Sequence, residues 1–434
     1  MVKNIKIAKK LRVLAVGILL LLTILNACDV KNPPKQTTPT PVSTLKPLLN
    51  ESYTPEPTPL PPTATLTATF TATLPPTPTP TVKAVIADPI PVFKVQLEAP
   101  HFAWGSNLSQ NRIFRSEDSG TTWKEVTPPE ATEVRHHGAA NAFLGSNNAW
   151  LLLSQGEQSS TLFYTTDGAK SWKKSELPFA GGKIQFVHAD NTGKASGVIF
   201  SDLGAGAGSQ WIAIYVSADG GQTWQQTFTH TPGEGQSALP AGGTKSGLSY
   251  NGDQRLWVAG SAPIENFLYL YHSADLGKSW SAQTCDMQQV AETVMYDTYP
   301  PEWVSGTEAF LRIKVFYGAA EMKTVFCHTS DHGETWNFAS ILDEINLQQF
   351  VDSQHGWVGD ENHLMRSIDE ARSWGDLSTG LPAGETVVSF NFSTPSLGIL
   401  ITNPSNGNNF DENKLYLSID GGISWTLLPT KLLP

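Results

Sequence analysis

Hydrophobic and polar positions divide this chain into three regimes. Val13 to Leu25 is almost wholly apolar and follows five cations, Lys3, Lys6, Lys9, Lys10 and Arg12. A run of this length matches a secretory h-region and is short for a mature membrane span. From Asp29 to about Pro91 the apolar signal fades. Threonine and proline alternate there, and 14 of the chain's 30 prolines lie between Pro33 and Pro80. Proline fixes φ and lacks a backbone donor, so the segment is predicted to be an extended, polyproline-like stalk without stable secondary structure. Fully extended at about 3.1 Å per residue, roughly 60 residues reach on the order of 180 Å.

From Val92 to Pro434 short apolar runs recur between turn-forming clusters. Examples are FAWGS (102–106), AWLLL (149–153), LWVAG (256–260), EWVSG (302–306) and GWVGD (356–360). Their length and bounding residues read as buried strands. The stretch LQQFVD, GWVGD, HLMRS and SWGDL shows four such strands in succession.

An internal repeat sets the period. The pattern S/T-x-D-x-G-x-S/T-W occurs seven times, with its acid and indole at Asp118 and Trp123, Asp167 and Trp172, Asp219 and Trp224, Asp275 and Trp280, Asp331 and Trp336, Asp369 and Trp374, and Asp420 and Trp425. Successive aspartates are 49, 52, 56, 56, 38 and 51 residues apart, and 343 residues over seven copies give 49 each. That is room for one four-stranded sheet per copy. The residue types describe a tight turn. The aspartate accepts turn amides, glycine supplies positive φ, the hydroxyls tie down remaining backbone groups, and the tryptophan opens the outgoing strand. Ala169 and Ala371 occupy the glycine slot in two copies, which should strain those turns or change their type. Identical residues in every unit are what a structural staple requires. The other tryptophans, Trp104, Trp150, Trp211, Trp257, Trp303 and Trp357, also fall in repeat slots and read as packing residues.

Charge and scarce residues narrow the function. The formal net charge is −11, and without the five leading cations it is −16, from 24 basic against 40 acidic residues. An acidic body is a poor partner for nucleic acid. Cys285 and Cys327 are either a disulfide of an oxidising compartment or two buried thiols. His136 and His137 are adjacent and would point to opposite faces of a strand, so no metal site is assigned. Gly204 to Gly208 lacks a lysine and reads as a flexible hairpin rather than a phosphate loop. No cofactor is implied.

Two motifs carry family resemblances. Leu25-Asn26-Ala27-Cys28 resembles the lipobox of bacterial lipoproteins, which implies cleavage before Cys28, acylation of its thiol, and attachment to the extracytoplasmic side of the cell membrane. The repeat resembles the Asp-box, or bacterial neuraminidase repeat, of β-propeller blades. The resemblance implies an all-β fold: a seven-bladed β-propeller of four-stranded antiparallel blades, with each Asp-box at a blade periphery. The expected organisation is a signal peptide (1–27), a lipid-anchored Pro/Thr-rich linker (28–91) and the propeller (92–434).

Chemistry separates the Asp-box families. A sialidase carries an early Arg-Ile-Pro strand and an arginine triad for its anionic substrate; no Arg-Ile-Pro occurs here. The arginines after the leader are Arg112, Arg115, Arg135, Arg255, Arg312, Arg366 and Arg372, and several lie beside an Asp-box and are expected at blade edges. A hydrolase of neutral glycans needs two carboxylates about 5 to 10 Å apart and stands as the alternative. The order GWVGD, strand, RSIDEARSW most resembles the photosystem II stability/assembly-factor-like proteins, which implies protein binding without catalysis. The acidic charge departs from the basic patch expected of a photosystem chaperone, so a photosynthetic role is not carried over. The expectation is a membrane-anchored binding or assembly scaffold that meets a protein or glycan at the central propeller face, with no catalytic residue assigned. The lipobox reading predicts that Cys28→Ser releases the protein from membranes; a variant that still fractionates with membrane and keeps its leader contradicts it.

Overall fold

A computed structural model describes residues 87–98, 100–156, 158–188, 194–231, 239–290, 294–318, 321–404 and 410–434. All belong to one unit, Pro80–Pro434. The leader, Cys28 and the stalk to residue 86 lie outside the described residues.

Among the described residues the regular structure is β-strand apart from three short 3-10 turns. The strands form six hydrogen-bonded sheets, one of nine strands that holds two successive meanders joined through the pair Ser261 and Asp297. Each meander runs antiparallel in chain order, and its third and fourth strands are joined by an Asp-box hairpin. The first strands are Lys94–Glu98, Gly138–Leu144, Gly182–His188, Thr244–Tyr250, Met295–Thr298, Leu347–Phe350 and Thr386–Phe392. First strands pack on one another between the second and third, third and fourth, sixth and seventh, and seventh and first meanders, and form an inner belt. This is the β-propeller architecture expected from the repeat.

The core lies between meanders rather than within them. Trp104 stacks on Phe143 of the next meander (ring centroids 5.3 Å apart), Trp150 on Phe186 (3.8 Å), Phe310 on Phe350 (3.7 Å) and Trp357 on Phe392 (3.7 Å). Glycine makes room for these rings: a Cβ on Gly197 would lie 2.3 Å from the Phe186 ring, and one on Gly398 2.4 Å from Phe392. The last seam returns to the first. Ile399, Ile401 and Leu415 share one buried cluster with Val95, Phe114 and Trp123. Closure needs no exchanged strand within a meander. Instead Lys431–Leu433 adds in parallel to Thr122–Lys124 as a fifth strand of the first sheet. The entering segment docks on the last meander through Ile90 N–H to Asn413 O (3.1 Å) and Asn413 Nδ2 to Val92 O (2.7 Å).

Each Asp-box is the same small network. The aspartate Oδ1 accepts the backbone N–H four residues on (2.7–3.0 Å), and Oδ2 accepts that residue's hydroxyl (2.5–2.7 Å). The Ser or Thr two residues earlier donates to Oδ1 while its oxygen accepts the N–H of the glycine slot. Hydrogen bonds led by the Ser171 and Ser424 hydroxyls hold Asp167 and Asp420 down at about 2. Such carboxyls contribute stability above the ordinary aspartate value that is lost as pH falls toward 2.

The residue before the glycine slot is also left-handed, at Ser119, Leu276, His332 and Glu370 as well as at Gly168, Gly220 and Gly421. Its N–H is spent on the segment leading into the second strand, as in Ser119 to His101 O (2.8 Å) and Leu276 to Gln254 O (3.0 Å). Ala169 (φ 64) and Ala371 (φ 62) keep the turn and bear the strain of a Cβ in the left-handed region. Cys285 and Cys327 are joined by a disulfide across 42 residues, which ties the end of the fourth meander to a strand of the fifth. Because a left-handed alanine costs about 1 kcal/mol relative to glycine, Ala169→Gly should raise stability by about that amount in urea unfolding. Ala371→Gly should gain less, since the Ala371 methyl is fully buried against the fifth and sixth meanders.

Candidate functional site: the inner belt and its two cavities

The inner strands are held to each other by side chains that bond a neighbour's backbone. Gln185 Nε2 donates to Tyr250 O and its Oε1 accepts Tyr250 N–H, both at 3.0 Å. Gln349 does the same to Phe392, at 2.8 and 2.6 Å. Asn391 Oδ1 accepts Leu97 N–H (2.7 Å), Gln96 Nε2 donates to Phe143 O (3.3 Å), and Ser246 Oγ donates to Thr298 O. These donors and acceptors face the belt because their own strand's partner lies on the other side. An amide side chain offers both donor and acceptor, which is what a peptide group needs.

The belt opens into a cavity at either end. One, of about 640 Å³, is lined by the final residues of inner strands on the Asp-box side, among them Gln185, His188, Tyr250, Asn251, Glu302 and Trp303. The other, of about 610 Å³, lies at the opposite end and is mainly apolar, with Gly206, Gly243, Pro263, Met295, Tyr296 and Phe316 around one carboxylate, Asp297. The glycine-rich hairpin forms part of its wall. Asp202 ties that turn, accepting Gly204 N–H (2.9 Å) and Gln210 Nε2 (2.7 Å), so the turn is braced by a carboxylate. Trp211, on a third strand, lies against Gly206 and leaves the second-strand slot that Trp104, Trp150, Trp257 and Trp357 use; Trp303 leaves it too, half-buried on the short inner strand Glu302–Trp303, and Phe310 fills that slot in the fifth meander. Lys245 holds the rim from beneath. Its ammonium bonds Gly242 O (3.0 Å) and faces the Tyr269 ring, while burial lowers it to about 8.

Between the cavities runs a charged network. Burial pushes the Asp297 carboxyl up, against a hydrogen bond from Tyr299 and the charges of Lys314, Arg312 and Lys183. The Arg312 guanidinium lies 3.9 Å over the Tyr299 ring and donates to Asn346 O (3.2 Å). Burial pushes Glu302 up as well, opposed by the Phe350 N–H, Gln348, Arg312 and Lys94.

The two sets of sequence candidates part here. The Asp-box acids and indoles sit in the outer hairpins, away from these cavities, each aspartate spent on its own turn. Among the arginines, Arg115 donates to Gly168 O and Arg366 to Pro395 O (3.2 Å) of the following meander, whereas Arg312 is central. The repeat singles out none of Asp297, Glu302 and Lys183, and Arg312 stands in the sequence only as one of seven arginines after the leader. A signal was present: Gln185-Phe186, Gln349-Phe350, Asn391-Phe392 and Glu302-Trp303 each put a polar residue before the aromatic of an inner strand.

A family model described as Sortilin-Vps10 (Sortilin, neurotensin receptor 3) matches residues 111–234. No curated protein matches the chain. Among solved structures, "YCF48 bound to D1 peptide" is similar at 15% identity and TM-score 0.48, over 78% of this chain and 99% of that one. A GH74 xyloglucanase from Xanthomonas campestris is similar at 15% identity and TM-score 0.36, over 79% of this chain and 46% of that one. An α-L-arabinofuranosidase from Fusarium graminearum is similar at 14% identity and TM-score 0.38, over 64% and 91%. At these identities and scores the activities of those proteins do not transfer to this chain.

Removing an amide clamp leaves a buried N–H and C=O unpaired, a loss of about 1–3 kcal/mol. Gln349→Leu should lower stability by that amount in urea unfolding, and Gln349→Glu should be intermediate because it retains the acceptor for Phe392 N–H.

Proposed function

We propose that this protein is a membrane-anchored, extracytoplasmic binding or assembly scaffold: a seven-bladed propeller, one blade per Asp-box, that receives a protein or glycan ligand at its central face. Cys28 carries the lipid, and the Pro/Thr-rich linker gives the domain reach from the membrane. The observation that carries the binding reading is the state of the carboxylates at the two central cavities. Glu302 is engaged with the Phe350 N–H and Gln348, and Asp297 with Tyr299 beside three cations. Each cavity wall holds one of them, and each is tied into the frame. What remains for a ligand is a broad surface of aromatic, proline and backbone groups, the usual material of a binding pocket.

One observation favours the alternative, a glycoside hydrolase of neutral glycans. Both carboxyls are pushed up by burial, as a general acid requires. Affinity capture from the native envelope, run beside turnover on a panel of neutral glycans, separates the two. The scaffold reading expects specific retention of a protein or glycan and no turnover. Hydrolysis that disappears in Asp297→Asn or Glu302→Gln overturns it.

A further inference from the structure

One position of the inner belt carries an acid where four others carry amides. The residue before the inner-strand apolar anchor is an amide at Gln96, Gln185, Gln349 and Asn391, it is Ala142 and Ser249 in the second and fourth meanders, and at the seam between the fifth and sixth meanders it is Glu302. Gln185 and Gln349 each give their neighbour one acceptor and one donor. Glu302 Oε1 accepts the Phe350 N–H at 2.9 Å, as the amide oxygens do. By the same register its other oxygen takes the place of the amide NH₂, and it receives Gln348 Nε2 at 3.2 Å. Gln348 Oε1 is itself buried with no donor. The seam therefore holds a surplus of acceptors, which one proton removes.

Two cations, Arg312 and Lys94, face Glu302; Arg312 also donates to Asn346 O, lies over the Tyr299 ring and faces Asp297, and its buried Nε has no partner. Lys314 bonds Glu344 (2.8 Å), Lys183 bonds Ser246 O, and His188 lines the same cavity.

We infer that Glu302 closes this seam as a neutral carboxylic acid, its O–H supplying the donor that glutamine supplies at other seams, so that the seam is a proton-binding site that loosens when the acid ionises. Burial acts in the same direction, raising the carboxyl above the ordinary glutamate value. The stabilising contribution is then complete below that ordinary value and is lost as pH rises through the raised one. The Asp-boxes behave oppositely, losing stability toward acid. The wall of the larger cavity that includes Glu302 and Trp303 thus responds to pH independently of the rim.

The test compares thermal unfolding of the full chain and its Glu302→Gln variant from mildly acid to mildly alkaline pH. Glutamine carries the donor permanently, so its advantage in midpoint should grow with pH, reaching on the order of 2 °C. A constant difference overturns the inference, because Glu302 then does not titrate in the folded protein. A variant less stable throughout, or unable to fold, also overturns it, because the ionised carboxylate is then the form the seam uses. Infrared difference spectra of wild type minus variant give a second readout. A protonated-carboxyl stretch at neutral pH is expected, and its absence overturns the inference.

Discussion

Each four-strand meander presents two apolar faces and buries them only against its neighbours. Everything else in the propeller body depends on that constraint. A single meander would leave Trp104, Trp150 or Trp357 in water; in the body these rings are almost completely buried. Fully burying an apolar side chain is worth about 1.5–3 kcal/mol, so each seam is stabilised by several such rings and none is stable alone. The series must therefore return to its start. The shared cluster of the last and first meanders, with the parallel strand Lys431–Leu433, is how it does so.

Stacking is non-directional enough to let meanders slide, and polar contacts set the register. At the outer edge the Asp-box fixes each hairpin and couples it across the seam: Trp150 Nε1 donates to Gly220 O (2.8 Å) and Trp357 Nε1 to Gly421 O (2.9 Å) of the next meander's box. At the inner edge the amide clamps do the same for the belt. A given tryptophan thus touches the next meander's inner-strand aromatic and its turn, so rim and belt are positioned by one side chain. The disulfide adds a covalent tie at the seam of the fourth and fifth meanders.

This division of labour leaves individual character to the centre. The rim repeats the same network seven times and so carries stability with little individuality. The belt is where the repeats differ: glutamine, asparagine, serine and glutamate at equivalent seams, a half-buried arginine beside a tyrosine, and two cavities of differing polarity. Individual character concentrated at the centre, on a repeated frame, is the physical form expected of a recognition surface held by a rigid scaffold.

The sequence by itself determined the strand class, the repeat period and the internal chemistry of the Asp-box. The reason is locality: the aspartate's partners lie within four residues, so eight residues carry the whole turn. The strain at Ala169 and Ala371 was legible for the same reason. The left-handed residue before the glycine slot, Leu276 included, was not. Its N–H is satisfied by Gln254 O, beyond the motif's own span. Tertiary structure alone decided the bond between Cys285 and Cys327, the closure by a parallel C-terminal strand, the central place of Arg312, and the role of Glu302. Glu302 and Phe350 are 48 residues apart, and Gln185 and Tyr250 are 65 apart. A contact of that range exists only once neighbouring meanders have packed and set which inner-strand peptide groups lack a partner.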